Sequence, residues 1–252
     1  MKGKVAIVTG GTGGIGGAVA EILLSRGCKV LVTGRNQSKL DALADRLGAG
    51  DSLLCMRADV GLESDTKMVT ARAVEEFGRL DILVANAGVE GDVKPLTSLT
   101  SDEFTVVQMT NVVGTFNSIK HAALAMSDGG AIVATGSVAS TVGVPGLASY
   151  TTSKHAISGL VKVAAIELAP AKIRVNAVAP APIDNEMMRS IERQAIPDAD
   201  DAARRAYFAS LNPMQRYGRN EEVARAIAFL ASDEASFITG ALLAVDGGLV
   251  IQ

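Results

Sequence analysis

Tryptophan is missing from this chain of 252 residues, and its aromatic set is six phenylalanines and three tyrosines. An apolar pocket built here is therefore expected to be lined by aliphatic side chains and methionine. Cysteine is scarcer still. Cys28 and Cys55 stand far apart, in neither a metal-binding nor a redox spacing, and are expected as reduced thiols on or near strands. The two histidines, His121 and His155, form no ligand set with Asp or Glu, so they are expected on helix surfaces and no metal site is predicted. A net charge of −3 without any basic block argues against a nucleic-acid partner. No apolar run is long enough to span a bilayer, and the N-terminus enters a strand pattern without a signal-peptide pattern. A soluble, cytoplasmic chain with no membrane partner is the expectation.

Glycine is abundant at 26 residues, and apolar side chains make up 48% of the chain. The run from Val5 to Thr9 is short and continuously apolar, as in a strand buried on both faces. Similar runs fall at 29–33, 52–57, 81–85, 131–135, 174–178 and 242–245. Amphipathic stretches lie between them, near 14–26, 37–47, 63–77, 101–126, 149–169 and 221–232. Such alternation predicts an α/β fold, a parallel sheet with helices on both faces. No linker or repeat divides the chain, so residues 1–252 are expected as one domain. Thr100 and Glu103 fit a capping box, with Leu99 and Phe104 in the staple positions. Asn220 is read as the cap of another helix, with Glu221 and Glu222 at its positive end. The stretch 181–215 fits the alternation poorly. It carries Met187, Met188, Ile191 and Met214 among charges and is read as a helical excursion, a substrate lid.

The run from Thr9 to Gly16 follows the first strand and opens the first helix. Its glycines permit positive φ and let backbone N–H groups approach a pyrophosphate at a helix N-terminus. Gly11, Gly13 and Gly16 match the generic dinucleotide fingerprint, while Gly10, Gly14 and Gly16 match a second spacing; Thr12 and Ile15 lie within the loop. The second strand ends at Gly34, where an NAD-selective site carries an acid for the adenine ribose. Arg35 follows and suits a 2′-phosphate, with Thr33 and Asn36 beside it. NADP(H) is therefore expected over NAD(H). Tyr150 and Lys154 stand four apart, on one face of a helix. A nearby cation favours the phenolate, which makes a tyrosine a usable proton donor and acceptor. With the phosphate loop and with Ser137, the pair points to a nicotinamide-dependent oxidoreductase.

At this point the chain resembles the short-chain dehydrogenase/reductase family over essentially its whole length. The motifs come in family order: Thr9-Gly10 with Gly14, Ile15 and Gly16; Asp59 and Val60; Asn86, Ala87 and Gly88; Asn111 in Asn-Val-Val-Gly; Ser137 thirteen residues before Tyr150; and Lys154. The resemblance implies a Rossmann-like, doubly wound, seven-stranded sheet and a homotetramer. It places Asp59 and Val60 at the adenine, and Pro180 and Ile183, after the sixth strand, at the cofactor. Two departures stand out. Pro180-Ala181-Pro182 replaces the family's Pro-Gly, and Asn185 stands where a threonine is common. Asn220 also stands where relatives often have proline.

By the same analogy, Ser137 hydrogen-bonds a substrate oxygen and Tyr150 exchanges a proton with it. Lys154 binds the nicotinamide ribose and lowers the tyrosine pKa, and Asn111 holds a water leading to solvent. Val89, Val138, Val144, Leu147, Met187 and Met188 are expected to line a pocket for a hydrophobic ketone or secondary alcohol. Arg189 and Arg193 would suit an anionic tail, as in a 3-oxoacyl thioester reductase. A catalytically silent dinucleotide-binding sensor on the same fold is the remaining alternative.

Overall fold

Val5–Val8 forms the first strand, β1, with all four residues buried. Successive strand side chains point to opposite faces. Ala6 and Val8 accordingly join one apolar cluster, and Val5 and Ile7 the other. A strand covered on both sides must be apolar throughout, which is why the run does not alternate with polar residues. The computed structural model describes residues 1–251. Its other strands are β2 (Lys29–Gly34), β3 (Leu53–Arg57), β4 (Ile82–Ala85), β5 (Gly130–Thr135), β6 (Ile173–Pro180) and β7 (Leu242–Val245). They form one parallel sheet in the order β3-β2-β1-β4-β5-β6-β7.

The helices are α1 (Gly14–Ser25), α2 (Gln37–Leu47), α3 (Glu63–Phe77), α4 (Ser101–Gln108), α5 (Gly114–Ala125), α6 (Ala148–Leu168), α7 (Glu186–Ala195), α8 (Asp201–Ser210) and α9 (Asn220–Leu230). Helices α1, α2 and α9 pack on the Ala6 and Val8 face through Leu23, Leu40 and Ile227, each fully buried. Helices α3, α5 and α6 cover the other face through Ala73, Ile119 and Ile157. Each such large buried aliphatic residue contributes ~1.5–3 kcal/mol of transfer free energy. The strand order reverses between β1 and β4, so their connecting loops diverge and leave a crevice at the carboxyl ends of the strands.

Two sequence expectations change in detail. The stretch 101–126 is not one helix: α4 and α5 are joined by a π-helical turn at Met109–Val113. Its start is as expected, with Glu103 N donating to Thr100 Oγ1 at 3.3 Å and Thr100 N donating to Glu103 Oε2 at 2.8 Å. Asn220, by contrast, is not a cap. Arg219 holds that position, and its N–H donates to Glu222 Oε2 at 2.8 Å. The Asn220 amide instead donates to Asp184 O at 3.2 Å, so its side chain serves the chain entering α7.

Stretch 181–215 folds as α7 and α8, laid beside the sheet. Polar contacts hold it there. Asp184 pairs with both Arg189 and Arg205. The Tyr217 hydroxyl donates to Glu192 Oε1 at 2.5 Å, with both residues buried, and the Arg205 guanidinium lies 4.7 Å from the Tyr217 ring centre. No helix among the described residues is long and apolar enough to cross a membrane.

Candidate active site

The turn after β1 is forced by close approach. Gly10 has φ +65°, and a Cβ there would lie 2.7 Å from Ala87 Cα. A Cβ on Gly16 would lie 2.4 Å from Gly10 O. Only glycine lets the loop fold so tightly against the chain leaving β4. Thr9 and Asn86 lock that contact. Asn86 and Ala87 N–H groups donate to Thr9 Oγ1 at 3.0 and 3.1 Å, and Asn86 Nδ2 donates to Gly10 O at 3.2 Å. Helix α1 then starts at the crevice, where its first-turn amides have no helical acceptor and face an anion favourably.

The second end of the site is assembled after β5 and on α6. Ser140 Oγ accepts from Ser137 N at 3.2 Å and donates to Lys154 O at 2.9 Å, which ties the serine turn to the helix. Starting α6 at Ala148 puts Tyr150 and Lys154 one turn apart on the crevice side. Lys154 is 4% exposed; its Nζ donates to Thr135 O at 2.8 Å and sits 5.4 Å from the Tyr150 ring centre. Burial disfavours charge on both groups. It pushes the Tyr150 phenol up to about 12, against a hydrogen bond with Ser137 that pulls it down, and it brings Lys154 down to about 8. Lys154 spends its hydrogen bond on a carbonyl, and the Glu90 carboxylate adds to the rise at Tyr150.

One cavity of ≈ 880 Å³ joins the two ends. Its wall includes Gly10, Thr12, Gly14 and Ile15 of the loop, then Thr33, Arg35, Asp59 and Val60. It continues along Asn86, Ala87 and Gly88 to Ser137, Tyr150 and Lys154, and closes with Pro180 and Ile183. Val89, Val138, Val144, Leu147, Met187 and Met188 lie on the same wall, joined by Phe208 of α8. The donor set fits a dinucleotide: open amides for a pyrophosphate, a cation and no acid at Gly34–Arg35, and a lysine and a phenol at the far end. His121 and His155 stay out of the site, bonded to Glu63 and to Thr151 O. No group of His, Cys, Asp and Glu suited to a metal occurs among the described residues.

Some expected residues lie off that wall. Gly16 packs inside the loop. Asn36 caps α2, its Oδ1 accepting from Lys39 N at 3.0 Å. Asn111 lies in the π-helical turn, fully buried. Its Oδ1 accepts from Val89 N at 2.8 Å, and its Nδ2 donates to Val89 O and Ser153 Oγ, both at 2.9 Å. Both polar atoms of that side chain are bonded to protein groups. Arg189 is taken by Asp184, whereas Arg193 does reach the wall. Sequence reasoning missed Ser140, Thr135, Lys39, Glu90 and Glu186. Lys39 alone carried a signal, a second cation four residues after Arg35.

Sheet order, glycine loop and crevice together define a doubly wound dinucleotide-binding fold with a serine, a tyrosine and a lysine at the far end of its cavity. A family model described as enoyl-(acyl carrier protein) reductase matches residues 10–250. Versicolorin reductase stcU of Emericella nidulans is 40% identical, with 98% of this chain and 96% of that protein covered. Cis-4-hydroxycyclohexanecarboxylate dehydrogenase of Sinomonas cyclohexanicum is 39% identical, with 97% and 96% covered. Among solved structures, levodione reductase superposes with a TM-score of 0.94 at 32% identity, covering 98% of both chains. A short-chain type dehydrogenase/reductase from Mycobacterium marinum gives 0.91 at 34%, covering 100% and 97%. The chain belongs to the short-chain dehydrogenase/reductase family, oxidoreductases that use nicotinamide dinucleotides.

Proposed function

We propose that this protein interconverts a hydrophobic ketone and its secondary alcohol with NADP(H), Tyr150 serving as general acid and base. The observation that carries this reading is the meeting of Ser137, Tyr150 and Lys154 on the wall of the cavity that begins at the glycine loop. When bound, the nicotinamide supplies or accepts the hydride, and its oxidised ring adds a positive charge. Ser137 orients the substrate oxygen by a hydrogen bond. In reduction Tyr150 gives that oxygen its proton, and a phenol of raised pKa does so readily because the acceptor is a developing alkoxide. In oxidation the phenolate is needed. The Lys154 ammonium and the positive ring together offset the burial that disfavours it. Asn111 is a positioning residue in this scheme. It fixes the Val89 backbone, and a Cβ on the adjoining Gly88 would lie 3.2 Å from Asn111 Oδ1 and 3.7 Å from Lys154 Nζ.

Preference for NADP(H) rests on Arg35 lining the adenosine end and on Gly34 providing no acid there. The ratio of kcat/KM with NADPH to that with NADH should fall in Arg35→Ala; an unchanged ratio overturns this assignment. Aliphatic and methionine side chains around Tyr150 favour an apolar substrate. With Arg189 paired to Asp184, the basic rim that would favour a 3-oxoacyl thioester shrinks to Arg193. Relatives named for a hydroxycyclohexanecarboxylate and a cyclohexadienediol make cyclic alcohols and ketones the first compounds to try. A panel of these with sugars and a 3-oxoacyl thioester, followed by nicotinamide absorbance, tests the reading. Preference for a sugar overturns the apolar pocket, and cofactor binding without turnover favours the sensor alternative. The lid is residues 181–215. The working unit in this reading is a cytoplasmic homotetramer, supported by outward Val106, Phe116, Leu124, Val163 and Ile166 on α4, α5 and α6.

A further inference from the structure

Lys39 and Glu186 form an ion pair between residues 147 positions apart, Nζ to Oε2 at 3.2 Å. Both line the cavity, Lys39 from the first turn of α2 and Glu186 from the first residue of α7. The bond therefore crosses the cavity mouth, from the adenosine end to the lid. Each partner sits in a capped first helical turn: Asn36 Oδ1 accepts from Lys39 N at 3.0 Å, and Asn185 Oδ1 accepts from Met188 N at 3.0 Å. The side chains are 54% and 85% exposed, so water and salt weaken the attraction. Arg35 lies on the same wall, four residues before Lys39 and ahead of α2, and makes no ion pair among the described residues. A phosphate monoester carries nearly two charges and three acceptor oxygens, more than a lone exposed carboxylate offers a lysine.

We propose that Lys39 exchanges Glu186 for the 2′-phosphate of NADP(H), so that one lysine both selects the cofactor and frees the first turn of the lid helix α7. The proposal rests on the reading that the Arg35 end takes a 2′-phosphate. With NAD(H) the pair persists and α7 stays strapped to α2. With NADP(H) the strap opens, and the start of α7 is released to adjust to the substrate. Lys39 is then a specificity-determining residue, and Glu186 is its competitor.

The test is calorimetric affinity for NADP⁺ and NAD⁺ in the wild type, Lys39→Ala, Glu186→Gln and Arg35→Ala, with hydrogen exchange of residues 181–215 in each complex. Lys39→Ala should weaken NADP⁺ about tenfold, the loss of one contact to a charged group, and leave NAD⁺ unchanged. Glu186→Gln should tighten NADP⁺ about two- to fivefold by removing a weak competitor, again with NAD⁺ unchanged. Amides at the start of α7 should exchange faster with NADP⁺ than with NAD⁺, and Glu186→Gln should abolish that difference. A Glu186→Gln protein that binds NADP⁺ equally or more weakly overturns the exchange. So does a Lys39→Ala protein that loses affinity for both cofactors alike. If Arg35→Ala leaves the NADP⁺ to NAD⁺ ratio unchanged, the underlying reading falls. If Arg35→Ala lowers the ratio and the other two variants do nothing, only the exchange falls.

Discussion

Tyr150 and Lys154 show how burial sets the chemistry of single residues. Tyr150→Phe keeps the ring but removes the proton, so kcat should drop ~10²–10⁴-fold, the usual share of a general acid or base. Cofactor affinity should hardly change; a variant with a large share of wild-type turnover rules out the proton-transfer role. Lys154 has a folded-state pKa of about 8 against an ordinary 10.5. Between those values the unfolded chain binds more protons, so stability from this group rises with pH across that window. Below about 8 the cost of burying the ammonium is felt in full. Lys154→Met should therefore stabilise the fold near neutral pH, by at most ~3 kcal/mol. The gain is reduced by the lost bond to Thr135 O and should shrink as pH approaches 10.5. Urea unfolding at several pH values measures it, and a gain that grows with pH would reverse the argument. Proximity in sequence predicts that Lys154 and Tyr150 share one face of a helix, and the packed site adds the burial that acts on both.

Among the elements, α7 and α8 are tied down by polar contacts. Buried Glu192 accepts from the Tyr217 hydroxyl, and burial together with that carboxylate pushes the Tyr217 pKa up. Tyr217→Phe leaves Glu192 without that donor and should cost ~1–3 kcal/mol, the penalty for an unsatisfied buried group. The loss should concentrate in α7 and α8, seen as faster amide exchange there; uniform change across the sheet would place the contact's role elsewhere. The capping box at Thr100 was legible because its two partners lie three residues apart. The cap at Arg219 was not, since the partner claiming Asn220 is 36 residues away. The π-helical turn escaped the periodic pattern for a similar reason. The turn contains Asn111, which is held by the Val89 backbone and Ser153, 22 and 42 residues away.

Across the whole molecule, a sheet buried on both faces leaves outer helices to carry whatever apolar surface remains. Phe116, Leu124 and Ile166 are outward on α5 and α6, and Val106 on α4. If these faces join subunits, the wild type should elute at four chain masses in light-scattering chromatography, and Phe116→Glu should give smaller species. A wild-type monomer would remove the assembly from the proposal. The seven strands, their parallel pairing and most helix bounds were legible in the sequence because burial demands apolar runs of set length and period. The glycine loop and the Ser137, Tyr150 and Lys154 spacing were legible too, because close backbone approach and helical geometry restrict residue type locally. Which of these side chains reach the cavity was not. Asn36 and Arg189 have the right chemistry but are engaged by near neighbours, Lys39 N and Asp184, whereas Asn111 is held by Val89 and Ser153, 22 and 42 residues away. Lys39 and Glu186 meet only because the sheet order brings α2 and α7 to one crevice. Local sterics and hydrophobic period are written residue by residue, whereas partner choice among polar groups is settled by the packing that surrounds them.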